Sequence, residues 1–244
     1  MIVLFTDFGR EGPYLGQMVA VLKRAAPEVP VIDLVADAPA HDPRSSAYLL
    51  AAYATGFAAG TVFLCIVDPG VGSTRAAGVL DLDGRLFVGP DNGLFEIVER
   101  RAAKPGIWKD ILWRPADLSE SFHGRDLFAP VAARLARGMP VELKQRRRLA
   151  AAWHRWPDDL PAVIYVDAFG NLVSGLRAGP IPATAILSAG PHRIRSARTF
   201  SDVSPGIAFW YKNANGLVEI AVNSGRADQI LCLKAGDDIA VEQV

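Results

Sequence analysis

Short runs of apolar residues alternate with segments of helical periodicity over the first part of the chain. Apolar runs at residues 2–5, 31–35 and 61–67 predict buried β-strands. Between them, apolar positions spaced three and four residues apart predict helices over residues 14–26 and 43–54. Because strands and helices alternate along the chain, we expect a largely parallel sheet with helices on its faces, which is a doubly wound α/β domain.

The pattern then changes to turn signals and further helices. An Asp-Gly pair separates apolar runs at residues 77–82 and 85–88, which predicts a β-hairpin. A helix is predicted over residues 94–102, after a turn in which Asp91 and Asn92 are turn and cap residues or ligands. Another helix ends at Leu135, with Asp126 as its cap or in its first turn and His123 in the loop before it.

The regular spacing of apolar residues weakens over residues 138–161, and a different pattern follows. The basic run at 146–148 predicts a solvated face. Beyond it, short strand candidates are separated by Gly, Pro, Asn and Asp with no helical stretch between them, which predicts a small antiparallel barrel or sandwich. The strand candidates are residues 162–166, 186–187, 192–194, 217–222, 230–233 and 238–241. We therefore expect two domains, an α/β domain over residues 1–155 and a smaller β domain over residues 160–244.

Composition excludes several classes of protein. The 244 residues carry 26 basic and 26 acidic side chains, so no polyanion-binding surface is predicted and nucleic acid is not an expected partner. Cys65 and Cys232 lie far apart in apolar runs and are interpreted as reduced core residues. The chain starts without the pattern of a signal peptide, so a cytoplasmic location is expected. Residues 48–67 lack charge, but Gly56 and Gly60 divide them, which favours a helix, a turn and a strand over a membrane span.

Two carboxylates follow predicted strands of the parallel sheet. Asp68 ends the strand at residues 61–67 and opens a turn rich in Pro and Gly, and Asp7 follows the first strand. Ligands of such sheets bind beyond the carboxyl ends of the strands, which favours a functional role for both. Arg75 lies where the turn can fold its guanidinium back towards Asp68. A structural Asp–Arg pair that holds the loop is an equally good interpretation of this stretch alone.

The common catalytic motifs are absent from the sequence. There is no phosphate-binding Walker loop, no dinucleotide fingerprint, no nucleophile elbow and no zinc motif, and the four histidines lack metal-ligand spacing. Residues 167–171 offer a different chemistry, because Phe169 can stack on a planar heterocycle and Asn171 can present a donor and an acceptor to a base edge. A polar turn is the simpler interpretation of that segment.

Taken together, six motifs resemble the S-adenosylmethionine hydroxide adenosyltransferase family, the hydrolase branch related to fluorinating and chlorinating adenosyl enzymes. They cover both halves of the chain and read TDFG from residue 6, VDPGVG from 67, Arg75, GPDNG from 89, FHGRD from 122, and Asp167 with FGN from 169. The resemblance implies an N-terminal α/β domain and a C-terminal β-barrel. It implies a homotrimer whose substrate lies between neighbouring subunits, and hydrolysis of S-adenosylmethionine to adenosine and methionine with no cofactor or metal.

The resemblance also implies roles for individual residues. Asp68, Arg75 and His123 match the family's catalytic trio, and Asp7 matches its ribose ligand. The remaining matches to substrate-binding positions are Phe122, Asp167 (methionine amino group), Phe169 and Asn171 (adenine), Phe200 (an aromatic wall), Glu219 and Val222. The chain departs from the family's usual residues at three positions that bear on substrate affinity more than on reaction type, namely Gly12, His41 and Ala214.

The chemistry of a sulfonium substrate agrees with this set of residues. A sulfonium leaves as a neutral thioether, so no general acid is needed, whereas water is a weak nucleophile and needs assistance. His123 with Asp68 can accept or relay a proton, Arg75 can stabilise developing hydroxide, and the aromatic Phe122 and Phe169 suit a cationic sulfur. Two alternatives stay open. They are a divalent-metal phosphohydrolase that uses Asp7, Asp68, Asp91 and His123, and a protein that binds an adenosyl ligand without turnover.

Overall fold

The computed structural model describes residues 1–147 and 152–242, which form two compact units, Met1–Arg155 and Trp156–Val244. The first unit contains a seven-stranded sheet of order β2-β1-β3-β5-β4-β6-β7. Its strands are β1 (Ile2–Thr6), β2 (Val31–Val35), β3 (Val62–Ile66), β4 (Ala77–Leu82), β5 (Arg85–Pro90), β6 (Ile107–Ile111) and β7 (Leu143–Gln145). The pairs β2-β1, β1-β3 and β3-β5 are parallel, and the remaining pairs are antiparallel. The α/β fold class is confirmed, with an antiparallel extension beyond β5.

Four helices accompany this sheet, namely α1 (Tyr14–Ala25), α2 (Pro43–Tyr53), α3 (Glu96–Arg100) and α4 (Ala129–Ala136). Helix α2 begins where expected, because Pro43 fits its first turn and the Asp42 side chain accepts a hydrogen bond from the Ser45 N–H. One core cluster joins β1 and β3 to α1 and α4. The other face carries Phe63 and Phe87, whose rings stack with centroids 4.7 Å apart. The predicted helices are thus confirmed, although α3 is shorter than its pattern suggests.

Strands β6 and β7 were not predicted, and they change the interpretation of the basic run. Arg146 follows β7 and binds Asp110 of β6 at 2.8 Å and Asp91 at 2.7 Å. Its guanidinium also lies over the Trp108 ring, 5.7 Å from the ring centre, which is close enough for a cation–π contact. The prediction of a solvated face is therefore wrong for Arg146, which is part of an ion-pair cluster; Arg148 lies outside the described residues.

The second unit contains two antiparallel sheets that close into a barrel. Its strands are β8 (Leu160–Val166), β9 (Leu172–Arg177), β10 (Ile186–Ala189), β11 (His192–Arg195), β12 (Ala208–Lys212), β13 (Leu217–Val222) and β14 (Ile239–Glu242). The sheets have the orders β12-β13-β9-β8 and β11-β10-β14. Single bridges join them at both edges, Ala162 to Asp238 and Ser196 to Trp210. A closed ring leaves neither sheet with a fully open edge, which is the usual advantage of a barrel.

The second half differs from the prediction in four details. Strands β9 and β12 were missed, and a short helix, α5 (Ala227–Ile230), stands where no helix was expected. Residues 230–233 are not a strand, because they end α5 and form the turn that follows it. Cys232 lies in that turn with φ 52° and is exposed, so its interpretation as a core residue is wrong, whereas Cys65 is buried as expected.

The uncharged stretch over residues 48–67 is divided as its glycines suggested. It contains the end of α2, a short 3₁₀ turn at Ala54–Gly56 and then β3. Among the helices of the described residues, none has both the length and the apolar character needed to cross a membrane.

Candidate active site

The loop that follows β3 brings Asp68 and Arg75 together. Arg75 donates from Nε to Asp68 Oδ1 at 2.6 Å and from Nη2 to Asp68 Oδ2, which is a bidentate pair. The two side chains are only 5% and 11% exposed, so the pair is largely removed from water. Gly72 allows the tight path of this loop, since its φ is +79° and a Cβ there would lie 2.7 Å from the Glu120 carbonyl oxygen. The folded-back arginine expected from the sequence is present.

His123 lies beside this pair, at the start of a π-helical turn (Gly124–Phe128) that leads into α4. Its Nδ1 is 3.3 Å from Arg75 Nη2, although 48 residues separate the two. The Arg75 guanidinium also lies 5.3 Å from the centre of the Phe128 ring. Arg75 thus contacts the carboxylate and the imidazole at the same time, and the structure brings together all three members of the predicted trio.

The contact with Arg75 determines the tautomer of His123. A guanidinium only donates hydrogen bonds, so Nδ1 must be the acceptor and the hydrogen of the neutral imidazole must be on Nε2. Burial and the positive charge of Arg75 lower the pKa of His123 below its ordinary value, against the opposing effect of Asp68. His123 is therefore held in its neutral form.

Asp68 opens onto a cavity of about 320 Å³ in the first unit. The cavity is lined by Asp7, Phe8, Tyr14, His41, Ile66, Asp68, Val71, Ser121 and Phe122. Asp7 Oδ2 accepts a hydrogen bond of 2.9 Å from the backbone N–H of His41, which has a φ of 57°. Burial raises the pKa of Asp7, and the His41 hydrogen bond partly opposes this. The two strand-end aspartates predicted from the sequence thus line one cavity.

Three aromatic rings form one wall of this cavity. The Phe122 ring meets those of Phe8 and Tyr14 edge to face, at centroid distances of 5.7 and 5.3 Å. Such a wall attracts cations through the negative faces of the rings. The guanidinium of Arg125 already lies 5.0 Å from the centre of the Phe122 ring, so one cation of the protein itself uses part of this aromatic surface. Sequence reasoning identified Phe122 but missed Phe8 and Tyr14, although Phe8 stands inside the TDFG motif.

The other predicted site residues line a separate pocket of about 540 Å³ in the second unit. Its lining consists of Asp167, Phe169, Asn171, Phe200, Tyr211, Glu219, Val222, Ser224 and Gly225. Phe169 is 77% exposed, which leaves its ring free to stack on a ligand. Asp167 Oδ1 accepts from the backbone N–H groups of Phe169 and Asn171, and Asp167 Oδ2 accepts from Asn171 Nδ2. These bonds form the polar turn that the sequence favoured, and the last of them fixes the amide side chain of Asn171.

A second carboxylate in this pocket is satisfied by neutral donors. Glu219 is buried in β13 and accepts hydrogen bonds from the Tyr211 hydroxyl and from Asn213 Nδ2. Burial and the neighbouring carboxylate raise the pKa of Tyr211 well above its ordinary value, so the phenol stays protonated. Tyr211 was missed because its strand, β12, was not predicted. Within the described residues, no group of three or more His, Cys, Asp or Glu side chains is arranged to hold a metal ion.

Comparisons with known sequences agree on one family over both units. The family model for the SAM hydroxide adenosyltransferase N-terminal domain matches residues 2–145, and that for the C-terminal domain matches residues 161–240. A protein of Thermus thermophilus is 36% identical over 96% of both chains. A protein of Salinispora tropica is 38% identical over 97% of this chain and 95% of its own. Both are named (R)-S-adenosyl-L-methionine hydrolase.

Two crystal structures have the same fold over the whole chain. An uncharacterized conserved protein from Thermotoga maritima superposes with a TM-score of 0.87 at 30% identity, covering 100% of both chains. A conserved hypothetical protein from Thermus thermophilus gives a TM-score of 0.74 at 34% identity over 99% of both. With both family models matched in order, this chain belongs to the SAM hydroxide adenosyltransferase family.

Proposed function

We propose that this protein hydrolyses S-adenosyl-L-methionine to adenosine and L-methionine. Family membership supports the reaction, and the observation that carries it in this chain is the buried Asp68–Arg75 pair beside His123, with Asp68 lining a cavity. The sulfonium of this substrate bears three different carbon groups and is a stereocentre. Because two relatives are named for the (R) epimer, we propose the (R) epimer as the preferred substrate, a distinction that sequence patterns alone do not make.

The reaction is a displacement at carbon. The water oxygen forms a bond to C5′ while the C5′–S bond breaks, and the electron pair of that bond stays on sulfur, so methionine leaves as a neutral thioether. The water loses a proton, which Asp68 accepts and passes to solvent. A carboxylate is a far weaker base than hydroxide, so this transfer accompanies C–O bond formation rather than preceding it. Arg75 fixes the carboxylate and stabilises the negative charge near the attacking oxygen.

Substrate binding is assigned by the same proposal. Asp7 accepts hydrogen bonds from the ribose hydroxyls, and the aromatic wall that includes Phe122 faces the sulfonium. The pocket of the second unit supplies the remaining contacts, with Phe169 and Asn171 to adenine and Asp167 to the methionine ammonium. Phe200, Glu219 and Val222 complete the enclosure of the substrate. A homotrimer with sites shared between neighbouring subunits, a cytoplasmic location and independence of metal stay predictions.

One incubation series tests the proposal. Purified protein is mixed with stereochemically pure (R) or (S) S-adenosyl-L-methionine, with and without a chelator, and adenosine is followed by reverse-phase chromatography. We expect adenosine and methionine in equal amounts, faster from the (R) epimer and unchanged by the chelator. If adenosine forms no faster than in the protein-free control, the proposed hydrolysis is contradicted. If the protein then still binds the substrate, the result favours a sensor of adenosyl ligands. Loss of activity with the chelator favours a metal-dependent enzyme.

A halide is not expected to replace water as the nucleophile. A halide at the attacking position meets the Asp68 carboxylate, and two like charges about 4 Å apart repel by roughly 4 kcal/mol at an effective dielectric constant near 20. Arg75 offsets part of this repulsion, but its guanidinium is committed to Asp68 in the observed pair and offers the halide no direct hydrogen bond of its own. We expect saturating chloride or fluoride to give no 5′-halogenated adenosine by mass spectrometry. Detection of 5′-chloro-5′-deoxyadenosine would contradict the role of Asp68 in activating water.

A further inference from the structure

The turn after β5 contacts both ends of the loop that carries Asp68 and Arg75. Asn92 Nδ2 donates to the carbonyl oxygen of Val67 at 2.8 Å, and Val67 directly precedes Asp68. At the other end of the loop, the backbone N–H of Asp91 donates to the carbonyl oxygen of Ala76 at 2.9 Å, and Ala76 directly follows Arg75. Two adjacent residues of one turn thus hold the two ends of the loop whose side chains form the ion pair.

This turn is itself fixed in the first unit. The Asp91 carboxylate is bound by Arg146 at 2.7 Å, and Arg146 also binds Asp110 of the neighbouring strand β6. On β5, a Cβ at Gly89 would lie 2.3 Å from the Cys65 carbonyl oxygen, so β5 lies very close to β3 just before the turn. The contacts to the loop are therefore made from a rigid support rather than from a free surface turn.

The two ends of the Asn92 amide have different tasks. Its Oδ1 accepts from the backbone N–H of Leu94 at 3.3 Å, a local bond of the kind that shapes turns. Its Nδ2 reaches 25 residues back along the sequence to the Val67 carbonyl, and Val67 is fully buried. An unpaired buried carbonyl is costly, so without Nδ2 the Val67–Asp68 peptide is expected to rotate towards another donor. Such a rotation changes the direction in which the Asp68 side chain leaves the backbone.

We propose that Asn92 is a positioning residue for hydrolysis, which holds Asp68 in the orientation that pairs with Arg75. This inference rests on the proposed function for its kinetic consequences, but its structural part does not. If the Asp68–Arg75 pair loosens, Arg75 also moves relative to His123, whose Nδ1 it contacts. Loss of the Asn92 side chain is therefore expected to disturb all three residues of the trio, although Asn92 itself does not line the cavity.

Two substitutions separate the two tasks of the amide. Asn92→Ala removes both bonds, whereas Asn92→Asp keeps an oxygen for the Leu94 N–H and removes the donor to Val67. The matched control is Thr61→Val at the opposite end of β3, where the Thr61 hydroxyl donates to the Ala58 carbonyl at 2.8 Å and is buried. That variant removes a comparable side-chain bond to a backbone carbonyl beside the same strand, far along it from Asp68.

We expect both Asn92 variants to lower kcat by about 10- to 100-fold, the range found when a partner that orients a metal-binding side chain is lost, here applied to the orientation of Asp68. KM should change by less than about threefold, because Asn92 does not line the cavity. Thr61→Val should keep wild-type kcat within about twofold. An unchanged kcat in Asn92→Asp, or an equal loss in Thr61→Val, would overturn the assignment, since the bond to Val67 would then have no specific role.

A measurement without turnover keeps this inference independent of the proposed function. The pKa of His123 is followed by NMR titration of imidazole-labelled protein, in the wild type and in Asn92→Ala. The charged groups that act on His123 are Arg75, Asp68, Arg114 and Asp126, and Arg75 is the largest charge effect that lowers its pKa. If Asn92 holds the pair, its loss should raise the pKa of His123 towards the ordinary value. An unchanged pKa overturns the inference even in an inactive protein, whereas a raised pKa in a protein without hydrolase activity sustains it and rejects only the proposed reaction.

Discussion

Replacement of Asp68 by asparagine is expected to lower turnover by about a hundredfold or more, the scale of lost acid–base assistance. The carbamoyl group has nearly the same shape as the carboxylate but accepts a proton poorly and carries no charge. Arg75, whose side chain is 11% exposed, would be left without its anionic partner in a mostly buried position. Since Asp7 and the aromatic wall are untouched, KM should change much less than kcat. Steady-state rates of adenosine formation measure both.

The second unit offers a matched control for the loss of an Asp–Arg pair. Asp159 accepts from Arg177 Nε and Nη2 at 2.7 Å each, with the same bidentate geometry as the pair at Asp68. Asp159→Asn should therefore lower stability to a similar or smaller extent while leaving kcat within about twofold. If both variants lose turnover in proportion to the decrease in their melting temperatures, the loss results from impaired folding and not from lost chemistry. Asp68 would then be a structural partner of Arg75, which is the alternative that the sequence left open.

The sequence predicted the parallel part of the fold well because its signals are local. Strands β1, β2 and β3 are short apolar runs, and α2 has Pro and Asp at the start that such a helix requires. Two of the missed strands, β7 and β9, lack these signals. Strand β7 reads Leu-Lys-Gln at a sheet edge, and β9 contains Ser174 and Gly175, where a Cβ would lie 2.6 Å from Leu160. Edge exposure and close strand packing remove the apolar pattern on which such predictions depend.

Parts of the candidate site were predictable for the same reason, and others were not. Parallel strands end at the same edge of a sheet, so Asp7 and Asp68 could be placed near one another from topology alone. The contact of His123 with Arg75 joins loops 48 residues apart, and only the family resemblance suggested it. The role of Arg146 was misjudged because its partners, Asp91 and Asp110, come from two other segments of the chain. Charge runs in a sequence do not show which carboxylates will face them in the fold.

Replacement of His123 by alanine is expected to lower turnover by on the order of a hundredfold or more, with a much smaller effect on binding. His123→Asn is the sharper variant, because its amide oxygen can still accept from Arg75 Nη2, as Nδ1 does now. It lacks the N–H that the imidazole carries on Nε2. If the imidazole serves only to orient Arg75, the asparagine variant should recover most of the activity that alanine loses. We expect it not to recover, since the proposal places the imidazole of His123 itself, and not only its contact with Arg75, in the catalytic trio.

The pH dependence gives an independent test of His123. Arg75 requires an acceptor at Nδ1, so the active form is the neutral imidazole, and protonation at low pH abolishes it. Because burial and Arg75 lower the pKa of His123 from its ordinary 6.5, the acid limb of kcat/KM should lie below pH 6.5, with full activity above it. In His123→Asn that limb should disappear or move to a lower pH. An acid limb of unchanged position in this variant would mean that another group controls it, and His123 would lose its place in the trio.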